Sequence, residues 1–176
     1  MSGVTNVSLS SAFVPWMPGK TTGYIPDQPR GSNVSLQSPP TKEGVVVDSK
    51  LGLGDLFSLG LRVDYLKGGN DSAEGAYVTA GMSDAFISKG PFSLEGTLQV
   101  FGGVFVSNNK VNPAIGAEGI LALAFKFGGS NKIAIGNRMG IGLGGTYTQN
   151  LATGPLPMTT VHAFPLAPNI EFTHIF

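Results

Sequence analysis

From Phe57 to Tyr65 every second residue is apolar. The series Phe57, Leu59, Leu61, Val63 and Tyr65 alternates with Ser58, Gly60, Arg62 and Asp64. The pattern returns at Phe92, Leu94, Leu98 and Val100, with Ser93, Glu95, Thr97 and Gln99 between them. A period of two is that of a β-strand, whose successive side chains point to opposite faces. A chain built of such segments must give its two unlike faces two unlike surroundings. Either the apolar face is the inside of a soluble sheet protein, or it is the outside of a barrel that meets lipid.

Composition separates the two. Charged residues make up only 12% of the 176 residues, while glycine alone accounts for 26. The polar face is therefore mostly Gly, Ser and Thr, too sparsely charged for a solvated surface. Its charges are Asp48, Lys50, Arg62, Asp64, Glu95, Glu118, Lys126, Arg138 and Glu171, four basic and five acidic. Ions of mixed sign can share an enclosed interior only as hydrogen-bonded pairs. An eight-stranded barrel has an interior of the width that side chains fill. The opposite face carries Val7, Leu9, Phe13, Val45, Val47, Leu51, Val78, Met82, Ile115, Leu121, Leu123, Ile135, Ile141 and Leu143. The fold expected is all-β: an eight-stranded antiparallel up-and-down transmembrane barrel, apolar outside, with these nine charges as its internal network.

Turn signals place the strands at about 4–14, 43–53, 56–66, 74–87, 92–106, 114–127, 132–148 and 158–176. Connections alternate between short (54–55, 88–91, 128–131) and longer (67–73, 107–113, 149–157), as in barrels with tight turns at one end and loops at the other. One domain over 1–176 is expected, with a Pro-rich loop at about 15–42. Its six prolines disfavour regular structure. Trp16, Met17, Tyr24 and Ile25 make it the candidate contact surface for a partner, aromatic loop residues being common anchors. Strand interiors avoid proline except at Pro165 and Pro168. These two set a choice between one strand over 158–176 and a hairpin turning at PLAPN, which would make nine strands.

Other classes are disfavoured. The chain has no Cys and two His, so no thiolate chemistry, disulfide or His-rich metal site is expected. Basic and acidic residues number eleven each, with no cluster suited to nucleic acid. No apolar run is long enough for a transmembrane helix. Gly140, Gly142 and Gly145 fit a dinucleotide fingerprint, but TYTQNLATGPLP follows where a helix would be needed. No cofactor and no catalytic residue is expected. The opening MSGVTNVSLSS does not read as a leader, so an exported protein would need one supplied. A virion structural protein, such as a capsid-decoration or tail component, would not, and it is the second expectation. A lipid-modifying enzyme is the third, weakened because His162 has no nucleophilic Ser within its strand.

The chain ends NIEFTHIF, with Ile170, Phe172, His174 and Phe176 on one parity. This resembles the last strand of small Gram-negative outer-membrane β-barrels of the OmpA/OmpX type. His174 stands where that group has Tyr or an apolar residue. The resemblance implies residence in the bacterial outer membrane, with the lipid bilayer and the barrel-assembly machinery as partners and Phe172, His174 and Phe176 as the assembly signal. The function expected is a non-catalytic scaffold that presents surface loops and admits a small apolar ligand.

Overall fold

The structure, a computed structural model, describes residues 3–18, 42–68, 71–107, 110–151 and 154–176; at residues 15–18, 42, 71, 107, 110 and 144–165 the description is of backbone alone. Eight strands follow in chain order: β1 (Val4–Pro18), β2 (Lys42–Leu53), β3 (Phe57–Gly68), β4 (Asp71–Lys89), β5 (Phe92–Ser107), β6 (Lys110–Phe127), β7 (Asn131–Leu151) and β8 (Gly154–Ile175). Each pairs antiparallel with the next, and β8 pairs with β1 to close the barrel. The described residues form no helix. The expected fold class and the count of eight both hold.

At one end the turns are tight because glycine takes the left-handed backbone they need. Gly54 (φ 71°) follows β2, Gly90 (φ 61°) follows β4, and Gly128 (φ 59°) and Gly129 (φ 77°) follow β6. The far end departs from expectation. The loops foreseen at 67–73, 107–113 and 149–157 are largely strand, paired out to Gly68↔Asp71, Ser107↔Lys110 and Leu151↔Gly154. Polar sequence rich in turn-forming residues suits a loop there, but cross-strand pairing carries it on as ladder. β2 and β3 have 12 residues each, β7 has 21 and β8 has 22. At about 3.3 Å per residue and a tilt of about 40°, such strands span roughly 30 Å and roughly 53 Å of height. The β7–β8 hairpin thus stands above an apolar band about 25 Å tall.

β1 also runs further than expected, so Trp16 and Met17 lie in a strand and not in a loop. Their backbones pair with Lys42 and Ala163. Tyr24 and Ile25 lie outside the described residues. β8 is one strand through both prolines. It accommodates them by a bulge: Arg138 pairs with Ala167 and Gly140 with Phe164, so Pro165 and Leu166 together face Met139. Prolines are not confined to that strand: Pro15 and Pro18 lie in β1 and Pro113 in β6, and β8 itself also holds Pro155 and Pro157.

The faces are inverted relative to a soluble protein. Leu61 is 65% exposed, Leu98 73% and Ile135 63%, whereas Arg62 is 1% and Arg138 0% exposed. Aromatic rings gather at the tight-turn rim. Phe92 packs on Phe125 (ring centroids 5.1 Å apart), Phe125 on Phe127 (6.2 Å), Phe127 on Phe172 (6.4 Å), and His174 edge-on to Phe176 (5.4 Å). Rings at such a level suit a lipid–water interface. Both chain ends reach this rim, where the Phe176 amide donates to Thr5 O at 2.9 Å.

Candidate functional site

The lumen is arranged in three tiers, and strand register decides which residue enters which. Ser10 lies opposite Asp48, Asp48 opposite Arg62, and Gln99 opposite Glu118. The stagger of the strands brings Arg138 of β7 and Asn169 of β8 to the same level. In this middle tier Arg62 makes a two-pronged contact with Asp64, Nε to Oδ1 at 2.6 Å and Nη2 to Oδ2 at 2.8 Å. Its Nη1 donates to Glu118 Oε2 at 2.7 Å. Arg138 reaches Asp48 Oδ2 at 2.5 Å and Glu118 Oε1 at 3.2 Å. Its Nη2 also donates to Ser10 Oγ and Asn169 Oδ1, each at 3.2 Å. Gln99 Nε2 donates to Glu118 Oε1. Glu118 is thus the bridge between two guanidiniums, each of which has an aspartate of its own.

Arg62 also lies over two rings, 4.4 Å from the centroid of Phe101 and 5.5 Å from that of Tyr77, which stand edge to face at 5.4 Å. A guanidinium on an aromatic face gains more as water is excluded. Phe101 has the room because Gly116 lies against its ring, where a Cβ would collide. The middle tier holds two guanidiniums and three carboxylates. Among the described residues, Asp48 Oδ1, Gln99 Oε1, Arg138 Nε and Asn169 Nδ2 find no protein hydrogen bond, the kind of buried polar atom that ordered water serves.

The lower tier, toward the tight turns, holds two further ion pairs, Lys50–Glu171 at 3.3 Å and Lys132–Glu95 at 2.6 Å. Glu95 also accepts from Ser93 Oγ at 2.7 Å. The upper tier is apolar: Ala12, Val14, Val46, Leu66, Ala73 and Ala167 form one buried cluster, with Phe105 against it.

Eight of the nine charges expected inside are there: Asp48, Lys50, Arg62, Asp64, Glu95, Glu118, Arg138 and Glu171. Lys126 is not. It has inward parity but lies next to the turn after β6 and is exposed. It faces Lys132 across the ladder, and Lys132 takes the carboxylate, Glu95. Sequence reading overlooked Lys132, although Arg138 shares its parity six residues on. It also overlooked Ser10 and Asn169, and the inward rings of Tyr77 and Phe101, and it put Gln99 on the polar face without giving it a part in the network. All were on the polar parity and could have been found there. Among the assembly-signal candidates, Phe172 and Phe176 are exposed at the rim, and His174 Nδ1 is 3.0 Å from Asn131 Oδ1.

No protein-family model matches the sequence, and no curated protein matches it either. Solved structures do. Neisserial surface protein A superposes with a TM-score of 0.56 at 9% identity, over 97% of this chain and 96% of that one. The outer membrane protein AlkL, in lipid bilayers, gives 0.49 at 12% identity over 100% and 93%. Ail, the attachment invasion locus protein of Yersinia pestis, gives 0.40 at 14% identity over 96% and 99%. The chain has the fold of the small eight-stranded outer-membrane barrels, as its last strand led one to expect.

Proposed function

We propose that this protein is a non-catalytic bacterial outer-membrane barrel, plugged by its own ion pairs, that holds its far end out as a surface for contacts. The observation that carries this is the inverted distribution of side chains. Exposed apolar residues encircle the closed barrel on every strand, while Asp48, Lys50, Arg62, Asp64, Glu118 and Arg138 are buried within it. In water such a surface would associate; in lipid it is the solvated state. Tight turns and termini at one rim, and tall strands at the other, favour the tall end as the outward one.

A non-catalytic role is supported by how two of the middle-tier carboxylates, Glu118 and Asp64, are engaged. Both oxygens of Glu118 are taken by arginines and Gln99, and Asp64 is held at both oxygens by Arg62. A general base needs a free lone pair within reach of a substrate. Phe172, His174 and Phe176 are proposed as the signal read by the assembly machinery, and residues 15–42, with Trp16, Met17, Tyr24 and Ile25, as the segment through which a surface partner is met. The test is to express the chain behind an export leader, with an epitope inserted between Ser107 and Lys110. The expected result is fractionation with outer membranes and antibody labelling of intact cells. Recovery in the soluble fraction, or as part of a particle, would overturn the reading in favour of the virion alternative.

A further inference from the structure

Asn137 is out of place on the outer wall. It is exposed, on the outward parity of β7, between the exposed Ile135 and Met139. The aromatic rim lies level with Ile133, which is opposite Phe125 and Phe172. Asn137 is four residues further up. At about 3.3 Å per residue and a tilt of about 40° it stands roughly 10 Å into the apolar band. Among the described residues its carboxamide has no hydrogen-bond partner. Ser11 and Ser49 also face outward, but a hydroxyl is a single donor that local backbone can take. A carboxamide has two N–H donors and an acceptor to satisfy. Beside Asn137 the wall is hollow, where Ala117 and Gly119 stand among Leu98, Val100 and Met139. Gly119 faces outward, directly opposite Leu98 and Met139. The barrel itself does not require this glycine. A Cβ there would meet Leu98 Cδ2 at 3.6 Å, an ordinary contact. A strand glycine without such a local cause suits a place where another chain comes close.

We propose that this face, centred on Asn137, docks a second copy of the chain in the membrane, each Asn137 Nδ2 donating to the other's Oδ1. Acyl chains at that depth offer neither donor nor acceptor, and an unpaired amide there is costly. A carboxamide carries both, so another carboxamide satisfies it, and a twofold axis supplies one. Copies inserted in one orientation share an axis parallel to the barrel, which sets both Asn137 side chains at one height. Strand stagger fixes what lies beside them. A row of directly opposed residues that leaves β1 at Val7 returns to it at Met17, ten residues higher. Each strand is therefore offset by a little over one residue from the next. Asn137 is opposite Leu121 on β6 and Pro168 on β8. With the offset applied, Gly119 is the outward residue nearest its level on β6, and Pro168 and Ile170 bracket that level on β8. Across a twofold axis the β6 side of one copy meets the β8 side of the other. The exposed Pro168 and Ile170 thus come against Gly119, bulk against the residue that lets backbones approach.

The proposal rests on the membrane placement proposed above, and one experiment separates the two. The full chain carrying Lys126→Cys, at the exposed rim, is labelled with a donor or an acceptor dye; the chain has no other cysteine. Both forms are reconstituted together into phosphatidylcholine vesicles at a large excess of lipid. The protein should float with the vesicles. Energy transfer should exceed that of randomly scattered labels, and excess unlabelled protein should abolish it. Asn137→Leu should weaken association roughly tenfold, as the loss of polar contacts between chains in a membrane implies, with the β-sheet circular dichroism unchanged. Asn137→Gln, which keeps the amide, should weaken it less. Gly119→Leu, whose Cβ finds room in the single barrel, should weaken it as well, and it stands in if Asn137→Leu does not fold. A chain that does not float overturns the membrane placement. A chain that floats without transfer above the random level overturns the docking face alone. Transfer indifferent to Asn137→Leu, or to Gly119→Leu where that variant stands in, overturns it too.

Discussion

The middle tier makes a sharp prediction about which of its ions matters most. Arg138→Leu removes the guanidinium that contacts Asp48, whose Oδ1 has no hydrogen-bond partner among the described residues, and it takes one of the two arginines from Glu118. The tier would go from two guanidiniums against three carboxylates to one against three, with Asp48 fully buried and its direct ion pair gone. Breaking one side of a buried pair costs about 3–5 kcal/mol. Glu118→Gln is the instructive contrast. It removes the bridge but leaves Arg62 with Asp64 and Arg138 with Asp48, two positive charges against two negative. It loses charge-assisted hydrogen bonds without stranding a carboxylate, a loss of about 1–2 kcal/mol. In the double variant Asp48→Leu/Arg138→Leu both buried ions of one pair are gone. It should recover most of what Arg138→Leu loses, since a buried pair replaced by apolar residues is often near neutral. The assay is reversible urea unfolding in phospholipid bilayers, followed by circular dichroism and by the single tryptophan, Trp16. The reasoning is refuted if Arg138→Leu stays within about 1 kcal/mol of wild type, below the range expected for an unpaired buried charge. It is also refuted if Glu118→Gln is the more damaging of the two.

Other predictions follow from the same geometry. Leu61→Arg, on the exposed face of β3, should destabilise the bilayer-embedded barrel by about 2–4 kcal/mol, read by the same unfolding assay; a neutral result would mean that this face does not meet hydrocarbon. Lys132→Ala should lower stability measurably and Lys126→Ala should not, because only Lys132 holds Glu95; a reversed order in matched urea titrations would contradict the placement of both lysines. Removing Phe176, which packs on His174 and donates to Thr5, should slow assembly into cell membranes far more than refolding in detergent; equal defects in pulse-chase assembly and in vitro refolding would deny it a signalling part.

The period-two alternation made most of this fold legible before any coordinates. It gave the strands, the closed barrel, and eight of the nine inward charges, because in a strand parity alone decides the face. Parity does not say how high along the barrel a residue sits, and that is why Lys126 was placed inside when it is at the rim. The far end was harder. GGNDSA and SNNKVNP have loop composition, yet pairing with a neighbouring strand outweighs local preference, so β4 and β6 begin there. The pairing partners inside the lumen depend on strand stagger. The joining of Glu118 to both Arg62 and Arg138, on strands four apart, could not be read from spacing. The break in the β1–β8 ladder between Ala12 and Met17 was foreshadowed only by Pro165 and Pro168. That Pro15 lies in the facing strand became visible once β1 was seen to run to Pro18.

The most direct test of the account is a cysteine scan of β3 from Phe57 to Leu66, in the otherwise cysteine-free chain, with nitroxide labels and bilayer-embedded protein. Collision rates with oxygen, which concentrates in hydrocarbon, are compared with those of a water-soluble nickel chelate. The account predicts that labels at 59, 61 and 63 collide freely with oxygen and hardly with nickel, while labels at 60, 62 and 64 collide with neither. Labels at the odd positions that collide with nickel, or that are shielded from both reagents, would show that the apolar face does not meet lipid, and the transmembrane barrel would fall with it.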